Sequence, residues 1–179
     1  MSNYTNGRRD AEAMLLEREY RLNEPGTLEH LLDVCQDAAL GARLAGEIFD
    51  YDDDLAIFFE EVAAERDGFA TRLAILLARK GYGDEIDSSG TFRGRLFHWR
   101  LQLAKRMQVG YRDIVDRRAN LHIIRMGSNQ VLKAYDKAEG QQVSPEAHEE
   151  IRRQTELIRA SNTRIHLLAA ELDGQPGMV

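Results

Sequence analysis

The sequence predicts an all-α chain folded as a four-helix bundle. Three observations carry that prediction. Apolar residues recur every three or four positions through four long stretches, the spacing of one buried helix face. Only three prolines occur in 179 residues, Pro25, Pro145 and Pro176, and none falls inside those stretches. Hydrophobic residues make up 43% of the chain, enough to furnish a core for one domain of this length.

Residues 1–26 read as an N-terminal arm, with 1–8 an unstructured lead. Asp10–Leu22 places Ala11, Met14, Leu15, Arg18 and Leu22 on one side, the pattern of a short helix that packs on the bundle or on a neighbouring subunit. Asn23-Glu24-Pro25-Gly26 is expected to break the chain. Thr27 suits the N-cap of the first long helix, Leu28 to about Phe49. Leu28, Leu31, Leu32, Cys35, Ala38, Ala39, Ala42, Ala45 and Phe49 form its inner face, and the small residues in the middle let a neighbour approach closely. Asp50–Asp54 is a tight acidic turn, so the next helix is an antiparallel neighbour.

That next helix, Leu55–Lys80, is the strongest pattern in the chain and would be about 39 Å long. Leu55, Phe58, Phe59, Val62, Phe69, Leu73, Leu76 and Leu77 make its stripe. Asp52, Asp53 and Asp54 at its start and Arg79 and Lys80 at its end complement the helix dipole. Gly81 ends it where a left-handed backbone is tolerated. Gly81–Gly90 is a polar linker, and a connecting helix follows over Thr91–Met107 through Phe92, Leu96, Trp99, Leu103 and Met107. Helical spacing then runs to about Ala138 through Ile114, Leu121, Ile124, Val131, Leu132 and Tyr135, and 91–138 is compatible with two helices or one bent at Gly110. After a loop at Gly140–Val143, Ser144-Pro145-Glu146 is a helix start: capping serine, proline at the first position, acid in the first turn. The last helix shows Ile151, Thr155, Ile158, Asn162, Ile165, Ala169 and Leu172. The bundle would then span 27–173 and a tail 174–179. The join of about 30 residues between the second and third long helices suits a crossover that lets the two run parallel.

Several motifs in this order resemble a bacterial ferritin-like family of unknown function. They are Leu28-x-x-Leu31-Leu32-x-x-Cys35-x-Asp37 with Gly41, Arg66-x-x-Phe69-Ala70-x-x-Leu73, Trp99, Gly127 with Leu132-Lys133-Ala134-Tyr135, and Ile158 with Arg164. The match covers roughly 27–172, with an insertion before Gly127. The resemblance implies a ferritin-like bundle with a crossover helix. Such bundles often hold two metal ions between a Glu from each of two helices and a Glu-x-x-His from each of the others, a donor set that suits iron or manganese. This chain departs from that pattern throughout. Glu65, the inner acid of the second helix, is followed three later by Gly68; Ala38, Ala39 and Leu40 stand where the family tends to carry an acid; Arg125, Ser128 and Asn129 surround Gly127; Asn162 replaces the expected His. The expectation is a ferritin-like bundle with no di-metal centre and no cofactor. A displaced site would use Asp37, Glu65 and His166.

Arg66 falls on the inner stripe, and a buried guanidinium must be paired. Asp37 and Glu65 are its candidate partners. The simplest role is a buried polar anchor that sets helix register, and the alternative is binding of an anion. Ser128, Asn129, Asn162 and Thr155 lie near inner faces as a hydrogen-bond network where metal would have been. Asp50-x-Asp52-x-Asp54 with Glu61 has calcium-loop spacing, but Leu55 stands where glycine is needed, so a solvated acidic turn explains the charges.

Charge is unevenly spread along a chain of net −6. Residues 10–87 hold 20 acids and 7 bases. Residues 91–118 hold eight bases, Arg93, Arg95, Arg100, Lys105, Arg106, Arg112, Arg117 and Arg118, against two acids. Interleaved with Phe92, Phe97, His98, Trp99 and Tyr111, this run could bind phosphates and stack bases. Docking on the acidic half of the same chain or of a second copy is the favoured reading. The histidines, His30, His98, His122, His148 and His166, lack ligand spacing, and no catalytic triad or glycine-rich phosphate loop is present. Cys35, the lone cysteine, excludes an internal disulfide and fits a small hydrophobe in a reducing compartment. With no signal-peptide pattern and no apolar run long enough to span a bilayer, the expectation is a cytoplasmic protein. The leading function is a non-enzymatic structural or protein-interaction protein that self-associates or binds another protein. A di-iron oxidase or iron-handling protein is second, and an anion or nucleic-acid binder third.

Overall fold

The structure, a computed structural model, describes the backbone at residues 4–50, 52–82 and 114–174, and side chains within these at 24–50, 52–82 and 118–171. The described residues form four helices: α1 (Tyr4–Ile48), α2 (Asp53–Arg79), α3 (Ile114–Glu139) and α4 (Pro145–Gly174). The all-α bundle is as the spacing predicts. The connecting helix at 91–107 with Trp99, and the tail beyond Gly174, lie outside the described residues.

The ends of α2 follow from local chemistry. Asp52 caps it, accepting a bond from the Leu55 amide at 3.3 Å, with Asp53 and Asp54 in its first turn. Leu55 and Glu61 belong to that helix, so the acidic run is a helix start and not a calcium loop. At the other end the amides of Tyr82 and Gly81 bond back to the carbonyls of Leu77 (3.0 Å) and Ala78 (3.1 Å). This closure needs a left-handed residue at Gly81, whose φ is +79°. α4 begins as expected, with Pro145 first and the Ser144 hydroxyl accepting from the Ala147 amide at 3.4 Å.

One expectation is corrected. The break at Asn23–Gly26 is absent, and α1 is a single helix that starts at Tyr4 and carries Pro25 inside it. There is no separate short helix over 10–22. Proline's φ suits a helix, and its cost is one lost bond and a clash with the preceding turn. The residues around it are firmly held. Glu24, 2% exposed, accepts from the amide (2.7 Å) and hydroxyl (3.0 Å) of Ser144 and pairs with Lys80. Leu28 and Leu31 are fully buried one turn later.

Cross-ties between helices set their directions. Cys35 meets Tyr135 and Glu24 meets Ser144, so α1 and α3 are antiparallel. Arg66 meets Ser161 and Arg72 meets Glu150, so α2 and α4 are antiparallel. With short turns joining α1 to α2 and α3 to α4, α2 and α3 run the same way.

Among the described residues the core has two apolar clusters. One, near the α3–α4 turn, is built on Leu28, Leu31, Phe69, Leu73, Leu77, Tyr135, Ile151 and Ile158. The other, near the α1–α2 turn, is built on Ala45, Phe49, Phe58, Phe59, Leu121, Ile124 and Ile165. Phe59 stacks on Phe49 with ring centroids 5.7 Å apart. Nearly all of the inner-face residues predicted for α1, α2 and α4 are buried, with Ala38 half-buried. Between the clusters, each helix contributes polar or small residues: Ala38 and Gly41 from α1, Arg66 from α2, Gly127–Asn129 from α3, and Ser161 and Asn162 from α4.

Candidate functional site

The middle layer is organised by Arg66, which is 2% exposed. It pairs with Glu65 and donates to the Ser161 hydroxyl of α4 at 2.6 Å. Its guanidinium also stands 5.2 Å from the centroid of the Phe69 ring, and that of Arg72 stands 5.4 Å from the same ring. A buried cation against an aromatic face, with a carboxylate and a hydroxyl on its N–H groups, is satisfied on several sides. Of the two acids expected to partner it, Glu65 does so. Asp37 stands on α1, in the wall of a cleft beside it.

That cleft lies along the α1–α3 seam and measures about 640 Å³. It arises from small side chains. Ala38 and Gly41 of α1 face Gly127, Ser128 and Ala134 of α3, and none of these fills the space between two helices. The cleft opens to solvent and reaches inward to Phe59, Val62 and Arg66 of α2 and Ile165 of α4. Arg66 and Ser128, both expected in a buried polar network, therefore line one open space.

Of the remaining expected network residues, Thr155 donates to the Ile151 carbonyl of its own helix at 2.8 Å, and the two asparagines bond each other. Asn129 Oδ1 accepts from Asn162 Nδ2 at 3.1 Å and is 3.1 Å from His166 Nε2. Asn162 is buried, while His166 is exposed. Asp37, Glu65 and His166, the displaced-metal set, are spread over a cleft wall, an arginine pair and an asparagine contact. Among the described residues no three His, Cys, Asp or Glu side chains gather to hold a metal ion.

A second buried chain of bonds could not be read from sequence. Cys35 Sγ is 2.8 Å from Tyr135 Oη, and that phenol donates to Gln154 Oε1 at 2.5 Å. Because the phenol proton points at Gln154, the thiol donates to the phenol. The Gln154 amide in turn donates to Glu150 Oε1 at 2.5 Å, and Arg72 and Arg153 bind the same carboxylate. Cys35, Tyr135 and Gln154 are all fully buried. Burial pushes the Cys35 thiol up to about 11, against the opposing effect of the Tyr135 bond and of Arg66 and Arg72. Burial, with the nearby Cys35, likewise raises the Tyr135 phenol. Burial also pushes the Glu150 carboxyl up, but its bonds from Arg153 and Gln154 outweigh this and leave it below the usual range. A thiol held protonated at neutral pH is a poor nucleophile, which agrees with Cys35 as a packing residue. The one available signal was Tyr135 on an inner face, since a buried phenol needs a partner.

The basic run is divided. Arg93, Arg95, Arg100, Lys105, Arg106 and Arg112 lie outside the described residues, as does the side chain of Arg117. Arg118 is half-buried in the first turns of α3. No described helix is long and apolar enough to cross a membrane.

No family model, curated protein or solved structure matches this chain.

Proposed function

We propose that this chain is a non-enzymatic binding protein on a ferritin-like bundle whose middle layer serves recognition instead of a di-metal centre. The observation that carries the reading is the sign of the buried charge. A pair of divalent cations needs converging carboxylates and imidazoles. The layer between the two apolar clusters instead holds a guanidinium that pairs with Glu65 and bonds the Ser161 hydroxyl, and an amide pair between Asn129 and Asn162. A guanidinium that already holds the inner carboxylate of α2 disfavours a metal ion at that place. The parallel run of α2 and α3 supports the ferritin-like arrangement. Self-association or a protein partner, engaged through helix surfaces, fits the same non-catalytic role.

Metal analysis of protein purified from iron-rich medium tests this reading. The expected result is substoichiometric iron and manganese. Two equivalents of iron per chain would overturn it in favour of a di-iron protein.

A further inference from the structure

The α1–α3 cleft is graded along its length. α1 contributes His30 at one end and Ala42 at the other, a distance of about 18 Å at the rise of an α-helix. Because α3 runs the other way, Lys137 and Lys133 stand near His30, and Ile124 stands near Ala42. Phe59 and Ile165, both buried, line the far end. Arg66 lies between, on the inner wall. One end is therefore cationic and exposed, and the other is apolar. Asp37 is the one carboxylate lining the cleft, against Lys133, Lys137 and an Arg66 already paired with Glu65, in a chain of net charge −6. Among the described residues neither Lys133 nor Lys137 pairs with an acid.

We propose that this cleft binds an acyl-chain carboxylate, its head among Lys133, Lys137 and Arg66 and its chain toward Phe59 and Ile165. The proposal rests on the binding-protein reading above and names its ligand class. An apolar cavity of this size with a few placed polar groups is the common form of a small-molecule site. A singly charged head fits better than a phosphate dianion, because Asp37 stands beside the cations and Glu65 already shares the charge of Arg66.

Calorimetric titration of the metal-free full chain with laurate, dodecyl phosphate and dodecanol tests it. Laurate is expected to saturate at one per chain, with the other two at least about tenfold weaker. Lys133→Gln combined with Lys137→Gln, at exposed positions that leave the core intact, is expected to weaken laurate by a factor of about ten. Ala38→Leu, which narrows the cleft, is expected to weaken all three ligands. The absence of saturable binding, equal binding of laurate and dodecanol, or an unchanged lysine double variant would overturn the proposal. So would tighter binding of dodecyl phosphate. An Ala38→Leu protein that loses self-association would assign the cleft to a second copy and would equally overturn it. A preparation that takes up neither iron nor laurate sinks this proposal alone, whereas two irons per chain sink the reading beneath it.

Discussion

Arg66 and Glu65 are neighbours in sequence with unequal surroundings, the arginine almost fully enclosed and the glutamate partly open to solvent. Removing the carboxylate strands a buried cation, which is costlier than the pair is valuable. Glu65→Gln should therefore destabilise the fold by about 2 kcal/mol, below the range for a fully buried pair because Glu65 is partly solvated. Urea unfolding with an unchanged m-value would check this. Tyr135→Phe takes the proton from Gln154 and the acceptor from Cys35 in one step, at a cost of about 1–3 kcal/mol. The thiol itself gives a pH dependence. Its folded pKa is raised to about 11 from 9.0, so the unfolded chain ionises first as pH rises. The contribution of Cys35 is whole below pH 9 and is lost between about pH 9 and 11. The difference in stability between wild type and Cys35→Ala should shift in favour of the variant across that window, as read by denaturant titration at each pH. The sequence made Arg66 legible, because a charge on an apolar stripe is conspicuous. It hid the Cys35–Tyr135–Gln154 chain, because the thiol and the phenol are a hundred residues apart and each alone reads as packing.

The helices differ in how openly their ends announce themselves. α2 and α4 were legible to within a residue or two because their caps are local devices: Asp52, Gly81 and the Ser144-Pro145 pair act through their own backbone. α1 was misread because its continuity depends on a distant contact. Glu24 binds Ser144 and Lys80, so that three helices are tied at one end of the bundle across 120 residues of chain. Pro25 is therefore a local cost within a well-anchored helix. Pro25→Ala should stabilise the protein, by as much as about 3 kcal/mol; a loss of stability in the melting curve would mean the chain turns at that point after all. Ser144→Ala should cost about 2 kcal/mol, more than an ordinary cap, since its hydroxyl accepts from Ala147 and Lys80 and donates to Glu24.

At the scale of the whole molecule, two apolar clusters make the bundle stable, and the layer between them gives it a distinct chemistry. The all-α class and the inner faces could be read from periodicity alone, since burial imposes that spacing on any sequence. The cleft could not, because a small residue such as Ala38 or Gly127 fits either a close helix contact or an unfilled space, and only the paired positions on α1 and α3 decide between them. The central claim is that this middle layer, with a guanidinium at its heart, is built against metal cations. Anything that binds the folded state alone raises its melting temperature, and the rise continues with the logarithm of free ligand once the site is filled. The most direct measurement is the melting temperature of the metal-free chain under anaerobic titration with iron(II). A flat response through a large excess of metal is predicted, and a melting temperature that climbs steadily with added iron(II) would contradict it.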